Sequence, residues 1–166
     1  LAAFKDVKLD LEFGKITTIY TLNQLDCEKI VVVGLGDGKK NIKEAFSKVE
    51  ADDYFVYVNE NTAYAAGFGL VYGAYSYKET KVYDFESDGF TAEFEKGKTV
   101  ALIVNHAREM SDMPANFLTP DHLVDEAKMV SEKYGMEMEV LNHDDLDQLG
   151  AGALLAVNQG SDRPCY

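Results

Sequence analysis

The stretch KIVVVGLGDGKKNIKEAFSKV, residues 29–49, contains the pattern that decides the fold. Its apolar run at 29–36 is closed by glycines and predicts a central strand covered on both faces. Residues 41–49 then carry four apolar side chains at helical spacing, which predicts a helix. A buried strand that turns at glycines into a helix is typical of an α/β protein.

Further strands on both sides of this unit predict a mixed sheet. On its N-terminal side, residues 7–13 alternate apolar and charged side chains and are expected to pair with 16–22 across Gly14-Lys15. On its C-terminal side we predict a buried strand at 54–58, a hairpin joining 80–85 to 90–95, and a strand at 98–104. The predicted fold class is therefore α/β with a mixed sheet.

A helix is predicted at 63–77, after a cap at Asn61-Thr62. It contains Gly67, Gly69 and Gly73, each of which weakens a helix by roughly 1 kcal/mol relative to alanine. A helix that keeps three glycines is expected to pack closely on a sheet or a neighbouring helix.

The sequence changes in character after Val104, so we predict two domains, 1–104 and 105–166. In the second part, Thr119 is a good N-cap and Pro120 suits the first position of a helix at 120–134, which Gly135 ends. The elements expected after it are a strand at 136–141, a helix at 143–150 capped by Asn142, and a loop at 158–164.

Composition excludes several classes of function. The net charge of −13 disfavours nucleic acid and anionic membrane surfaces as partners. The first residues, LAAFKDV, have neither an initiator Met nor the pattern of a signal peptide, so we expect them to lie inside a longer cytoplasmic protein. Two distant cysteines form no disulfide framework, and Cys27 is expected to be a small buried residue.

The loop GLGDGKK, residues 34–40, lies where a phosphate-binding loop would be, between a strand and a helix. Its glycine spacing matches neither dinucleotide-binding nor P-loop motifs. A tight strand-to-helix turn is the favoured interpretation, while Lys39 and Lys40 leave an anion site as the alternative.

Possible catalytic groups are scattered. His106, His122 and His143 lack metal-binding spacing, and capping or exposed roles are favoured for them. The carboxylates from Asp121 onward crowd helix starts, where acidic residues are favourable anyway. Ser161 is not in a nucleophile motif and is interpreted as part of a turn. We assign no catalytic, cofactor-binding or metal-ligating residue in this sequence.

The tyrosine-rich stretch YGAYSYKETK, residues 72–81, is interpreted as packing on a sheet and not as a nucleic-acid platform. The tract MSDMPANFLTPDHL, residues 110–123, is interpreted as a joint. Pro114 is expected to end one helical segment, and the Asn116 side chain is expected to hold the turn that follows.

Residues 105–127, NHAREMSDMPANFLTPDHLVDEA, resemble the cytosolic leucine aminopeptidase family. The similarity is carried by Arg108, by Pro114-Ala115-Asn116 and by Leu118-Thr119-Pro120, and it continues through GMEMEVLNHDDLDQLGAGALLAVNQGSDRP at 135–164. The Gly-Leu-Gly at 34–36 and the tyrosine-lysine segment at 72–81 are similar to upstream parts of the same family.

The resemblance implies a macro-like N-terminal α/β domain joined to a catalytic domain, in a cytoplasmic homohexamer. It implies hydrolysis of N-terminal residues, leucine among them, from peptides by two divalent ions of zinc, manganese or magnesium. The family's metal ligands lie in an aspartate-serine-glycine-glycine stretch and an asparagine-threonine-aspartate-alanine-glutamate-glycine-arginine stretch. Neither occurs in this sequence, so no ligand is carried over and the segment is expected to be non-catalytic.

Three hypotheses follow. In the first, the chain is the N-terminal domain and the start of the catalytic domain of such an aminopeptidase. The second is a free-standing macro-like module that binds ADP-ribose or another phosphate ligand at 34–40. The third is a catalytically dead assembly subunit.

Overall fold

A computed structural model describes residues 7–77 and 81–166. Residues up to Glu109 form one compact unit and those from Met110 onward form another. The described elements of the first unit are β1 (Ile16–Tyr20), β2 (Lys29–Val33), α1 (Ile42–Phe46), β3 (Tyr54–Val56), α2 (Ala63–Gly73), β4 (Phe85–Ser87) and most of α3 (Thr91–Asp112). Those that follow are α4 (Pro120–Tyr134), α5 (His143–Gln148) and α6 (Gly152–Asn158). The predicted division at 104/105 stays a prediction.

The strands form two small sheets. β1 and β2 are antiparallel, from Ile16 opposite Val33 to Tyr20 opposite Lys29. β3 and β4 are parallel, from Tyr54 opposite Phe85 to Val56 opposite Ser87. The α/β class is therefore confirmed, whereas neither of the two described sheets is itself mixed.

Several strand predictions are wrong. Residues 7–13 form no strand, and β1 pairs with β2 instead. The predicted strand at 29–36 ends at Val33 and is not central, because among the described strands only β1 pairs with it. Phe85–Ser87 pairs with β3, so the predicted 80–85/90–95 hairpin does not form; Thr80 lies outside the described residues. Residues 136–141 form no strand.

The predicted strand at 98–104 lies inside α3. Its run of apolar and β-branched residues is typical of a strand, but the buried positions Phe94, Gly97 and Ala101 recur at helical spacing. Tertiary packing on α2 decides between the two structures, because this face contacts α2 only when it is helical.

Glycines let the helices approach each other closely. A Cβ added at Gly67 would lie 2.2 Å from the Phe94 carbonyl oxygen, and one added at Gly97 would lie 2.2 Å from that of Tyr64. On another side of α2, a Cβ at Gly73 would lie 2.3 Å from the Ser47 carbonyl oxygen. The predicted close packing of this helix is confirmed, although the helix ends at Gly73 and not at residue 77.

The second unit has helices with well-formed ends. Thr119 caps α4 by accepting from the His122 backbone N–H, and Gly135 ends it in the left-handed conformation, as predicted. Asn142 and Asp145 form a reciprocal capping box at the start of α5. Leu146 and Cys165 are buried here, whereas α4 buries no side chain.

Candidate functional site

A cavity with a volume of about 1010 Å³ lies between β2 and β3. β2 and β3 form its walls, while Phe46, Val49 and Leu70 contribute apolar surface from the helical side. The first unit therefore contains an open cleft with mostly apolar walls.

One ion pair lies in this cleft. Lys29 Nζ is 2.5 Å from Asp52 Oδ2 and 5.5 Å from the centre of the Tyr54 ring. The hydrogen bond with Asp52 raises the pKa of Lys29, and the same bond lowers the pKa of Asp52. Both groups are therefore held charged, which makes the pair a structural tie and a poor proton donor or acceptor near neutral pH.

Tyr54 is the third polar group of the cleft. Burial raises the pKa of its phenol, and its hydroxyl donates to the Glu50 carbonyl oxygen over 3.0 Å. The phenol is therefore neutral and already hydrogen-bonded. Sequence reasoning did not single out Lys29, Asp52 or Tyr54, because Lys29 and Asp52 are 23 residues apart and carry no motif.

The 34–40 loop is a closed turn. The backbone N–H of Gly36 donates to the Leu11 carbonyl oxygen, that of Gly38 to Leu35, and that of Lys39 to the Asp37 carboxylate. Gly36 and Gly38 have positive φ angles, which glycine adopts without strain. A phosphate would have to displace these bonds, so the geometry favours the turn.

The two lysines of the loop also have partners. Lys39 Nζ is 3.5 Å from the Asp37 carboxylate, and Lys40 Nζ lies 5.1 Å from the centre of the Phe13 ring. The loop thus gives the anion-site alternative no support.

Arg108 lies in a clamp built by α2 and the residues after it. Its guanidinium carbon is 4.2 Å from the ring centres of both Tyr72 and Tyr75. It donates to the Tyr72 carbonyl oxygen and to Asn105 Oδ1, and Asn105 in turn donates to the Val71 carbonyl oxygen. This arrangement fixes α3 on α2, and the Asn105–Arg108 spacing of one helical turn is the signal that could have revealed it.

The tyrosines of 72–81 do not pack on a sheet as predicted. Tyr72 and Tyr75 hold Arg108, and Tyr72 also stacks on Phe68 with ring centres 5.5 Å apart. Residues 78–80 of this stretch lie outside the described part.

Each histidine has its own surroundings. His122 Nδ1 is 3.1 Å from the Phe117 carbonyl oxygen, and its Nε2 is 3.8 Å from Glu126. His143 lies 3.6 Å from Asp144, and His106 is on α3. Within residues 7–77 and 81–166, no group of three or more His, Cys, Asp or Glu side chains is placed to hold a metal ion. A two-metal centre does not fit the described residues.

Ser161 and the cysteines are now placed. Ser161 Oγ accepts from the Arg163 backbone N–H over 3.0 Å, which confirms its position in a turn. Cys165 is buried, whereas Cys27 is exposed, so the expectation of a buried Cys27 is wrong. The buried side chain of this loop is Thr21, whose hydroxyl donates to the Cys27 carbonyl oxygen.

The 110–123 tract is a joint between helices. α3 ends at Asp112, and the backbone N–H groups of Phe117 and Leu118 both donate to the Pro114 carbonyl oxygen. Main-chain bonds therefore close the turn, and the exposed Asn116 side chain does not hold it as expected.

The 110–123 tract lies inside a region that matches a known protein family. Residues 105–166 match the cytosol aminopeptidase family, catalytic domain. The chain is similar to a probable cytosol aminopeptidase of Exiguobacterium sibiricum, with 41% identity over 107 residues that cover 60% of this chain and 22% of that protein. It is also similar to one of Aromatoleum aromaticum, with 26% identity over 194 residues, 94% of this chain and 39% of that protein.

Solved structures share the fold. The bottromycin maturation enzyme BotP superposes with a TM-score of 0.76 over 98% of this chain and 41% of its own, at 19% identity. BotP in complex with Mn gives a TM-score of 0.75 at 20% identity, over 93% and 38% of the two chains. The chain thus spans between about a fifth and two fifths of the length of these proteins.

The helices of the described residues were compared with the length and hydropathy that a membrane span requires, and none of them meets both.

Proposed function

We propose that this chain is part of a metal-dependent leucyl aminopeptidase, because residues 105–166 match the catalytic domain of the cytosol aminopeptidase family. The parent enzyme hydrolyses N-terminal residues, leucine and others, from peptides in the cytoplasm. The observation that carries the proposal is the match over 105–166, which includes Arg108 and the Pro114–Pro120 joint.

Within that enzyme, we propose a scaffold and assembly role for this segment. Its conspicuous polar groups are used internally: Arg108 ties α3 to α2, Lys29 pairs with Asp52, and Thr119 caps α4. Two divalent ions, of zinc, manganese or magnesium, would polarise the scissile carbonyl and supply an activated water in the parent enzyme. The solved structure of BotP in complex with Mn has the same fold as this chain. It supports the proposal that the parent enzyme depends on metal ions. In this proposal, no residue of this chain is a ligand of those ions.

The first unit is proposed to be a macro-like domain, and the parent protein a homohexamer. The two strand directions and the α/β order support the first proposal. On α4, the apolar side chains of Met129 and Tyr134 are more than half exposed. Such exposed apolar side chains support the proposal that this region is buried in a larger structure.

The enzymatic proposal is tested by comparing the 166-residue chain with the protein translated from the same coding sequence beyond Tyr166. We expect leucine p-nitroanilide hydrolysis with Mn²⁺ from the longer protein and none above the metal-only background from the 166 residues. Hydrolysis by the short chain would overturn the non-catalytic role. A longer protein that lacks the two family metal motifs and any activity would overturn the aminopeptidase proposal and favour a dead assembly subunit.

Assembly is measured separately, by sedimentation of the longer protein. A hexamer is expected, and a monomer at micromolar concentration would contradict the assembly role while leaving the peptidase proposal intact.

A further inference from the structure

The dipeptide Asp-Gly occurs twice in the sequence, at residues 37–38 and at residues 88–89. In this dipeptide the glycine nitrogen can attack the carboxyl group of the preceding side chain, because glycine has no Cβ to obstruct the approach. Both aspartates are exposed, and each pair lies in a loop between a strand and a helix. Since the reacting groups are the same, the surroundings of each pair decide which one reacts.

The two aspartate side chains are held in a similar way. Asp37 Oδ1 accepts from the Lys39 backbone N–H over 3.1 Å, and Asp88 Oδ1 accepts from the Val58 backbone N–H over 3.2 Å. Lys39 Nζ also lies 3.5 Å from the Asp37 carboxylate, but both side chains are exposed and solvent screens this contact. The carboxylates therefore do not distinguish the two pairs.

The two glycine nitrogens are held differently. The Gly38 N–H donates to the Leu35 carbonyl oxygen over 3.2 Å. The Gly89 N–H donates to no described residue, and the hydrogen bond at this glycine is accepted by its carbonyl oxygen, from Ser87 Oγ over 2.9 Å. Attack by the Gly38 nitrogen therefore requires the loss of a hydrogen bond that Gly89 does not make.

The backbone conformations of the two glycines also differ. Gly38 has a φ of 73°, in the left-handed region that favours glycine, whereas Gly89 has no positive φ. A Cβ added at Gly89 would meet no atom within 4 Å, so there is open space beside it. The fold therefore accepts alanine at position 89, which gives a variant that changes the reacting nitrogen without changing the structure.

We propose that Asp88-Gly89 is a site of spontaneous isoaspartate formation and that the fold protects Asp37-Gly38. The Gly89 nitrogen forms a bond to Asp88 Cγ, and the side-chain hydroxyl leaves with the proton of the nitrogen as water. A second water then opens the cyclic imide. Cleavage of the new bond returns aspartate, whereas cleavage of the original peptide bond leaves a main chain that runs through Cγ. No oxidant or reductant takes part.

Isoaspartate at position 88 would weaken the connection between the ends of β3 and β4. The Val58 N–H donates to the Asp88 carboxylate, and the Asp88 N–H donates to the Val56 carbonyl oxygen over 3.2 Å. The rearrangement adds one carbon atom to the main chain and places the free carboxylate on Cα. The Val58 N–H therefore loses its acceptor, and its hydrogen exchange should accelerate.

The test is prolonged incubation of the 166-residue chain at neutral pH, in native buffer and in urea, followed by peptide mapping. Retention time separates isoaspartyl from aspartyl peptides, and a protease that cuts before aspartate does not cut before isoaspartate. In native buffer, isoaspartate should accumulate about fivefold faster at position 88 than at 37, the effect of one net hydrogen bond. In urea, the two rates should become similar, because neither pair keeps its folded surroundings.

Gly89→Ala is the variant that tests the reacting nitrogen. Its methyl group obstructs the attack, so isoaspartate at 88 should nearly disappear, while the product at 37 and the circular dichroism spectrum stay unchanged. In the aged native chain, hydrogen–deuterium exchange should be faster at Val58 in the isoaspartyl fraction alone.

Three results would overturn the proposal. The first is a native rate at 37 that equals or exceeds the rate at 88, and the second is a ratio of the two rates that is the same in urea as in native buffer. The third is undiminished isoaspartate at 88 in Gly89→Ala, which would show that the Gly89 nitrogen does not control the reaction. Unchanged exchange at Val58 in the isoaspartyl fraction would overturn the proposed effect on β3 and β4.

Discussion

Phe94 in the first unit is completely buried, whereas α4 in the second unit has an apolar stripe but buries no side chain. The first unit closes around a core shared by α1, α2, α3 and β4. In the second unit, contacts a few residues apart set the helix ends, such as the caps at Thr119 and Asn142. The difference teaches that non-local packing holds the first unit, while local hydrogen bonds define the helices of the second.

The largest effect expected from this comparison is a core deletion. Phe94→Ala should lower the free energy of unfolding of the first unit by about 3–5 kcal/mol, because it leaves a cavity where the ring was fully enclosed. Leu123→Ala on α4, a half-exposed position, should cost less than about 1 kcal/mol. Urea unfolding followed by circular dichroism measures both changes, and equal losses would break the comparison.

A glycine substitution tests the close approach of α2 and α3. Gly97→Ala should destabilise the first unit by roughly 1–3 kcal/mol or more, because the new methyl group would overlap the Tyr64 carbonyl oxygen. The matched control is Gly152→Ala in α6, where a Cβ meets no atom within 4 Å and stability should stay level or rise slightly. The same urea titration measures both variants. An unchanged free energy of unfolding for Gly97→Ala would show that α2 and α3 can separate without cost.

Removing the N-cap of α5 tests whether local hydrogen bonds hold the helices of the second unit. Asn142→Ala should cost about 1 kcal/mol, because the N–H groups of Asp144 and Asp145 lose their acceptor. Hydrogen exchange should accelerate in α5 and stay unchanged in α2. Asn116→Ala, at an exposed asparagine, is the control and should leave all helices unchanged. Faster exchange throughout the chain would mean that α5 is coupled to the first unit.

The smallest effect is the pH dependence of the Lys29–Asp52 tie. The lowered pKa of Asp52 adds stability above its unfolded-state value of 3.8, and this is lost as pH falls through the lower folded-state pKa. The raised pKa of Lys29 adds stability below 10.5, which is lost as pH rises through the higher folded-state value. Solvent around the half-exposed Asp52 keeps both contributions small.

Asp52→Asn is the variant that isolates this tie. Thermal unfolding between pH 2 and pH 6 should show a shallower acid loss for Asp52→Asn than for the unsubstituted chain. Identical profiles would show that the ion pair does not contribute to stability.

The ends of α4 were predictable from the sequence, whereas strand pairing was not. The α4 boundaries follow from Thr119, Pro120 and Gly135, because each acts on backbone groups within its own turn. The pairing of β3 with residues 85–87 depends on chain segments about 30 residues apart, and no local signal selects that partner over a hairpin.

The candidate site was less predictable than the fold. Family similarity could be read from Pro114 to Pro120, because it is a property of the residues themselves. The Lys29–Asp52 pair and the Arg108 clamp could not be predicted from the sequence, because their members come from different parts of the chain.

The sequence by itself determined the α/β class, the capped helices of the second unit, the close packing implied by the glycines of α2 and the similarity to an aminopeptidase family. Only the tertiary structure decided that residues 98–104 are helical and that β2 borders a cleft. The physical reason is range. Caps and turns act within a few residues, whereas the conformation of an apolar run depends on the distant surface against which it is buried.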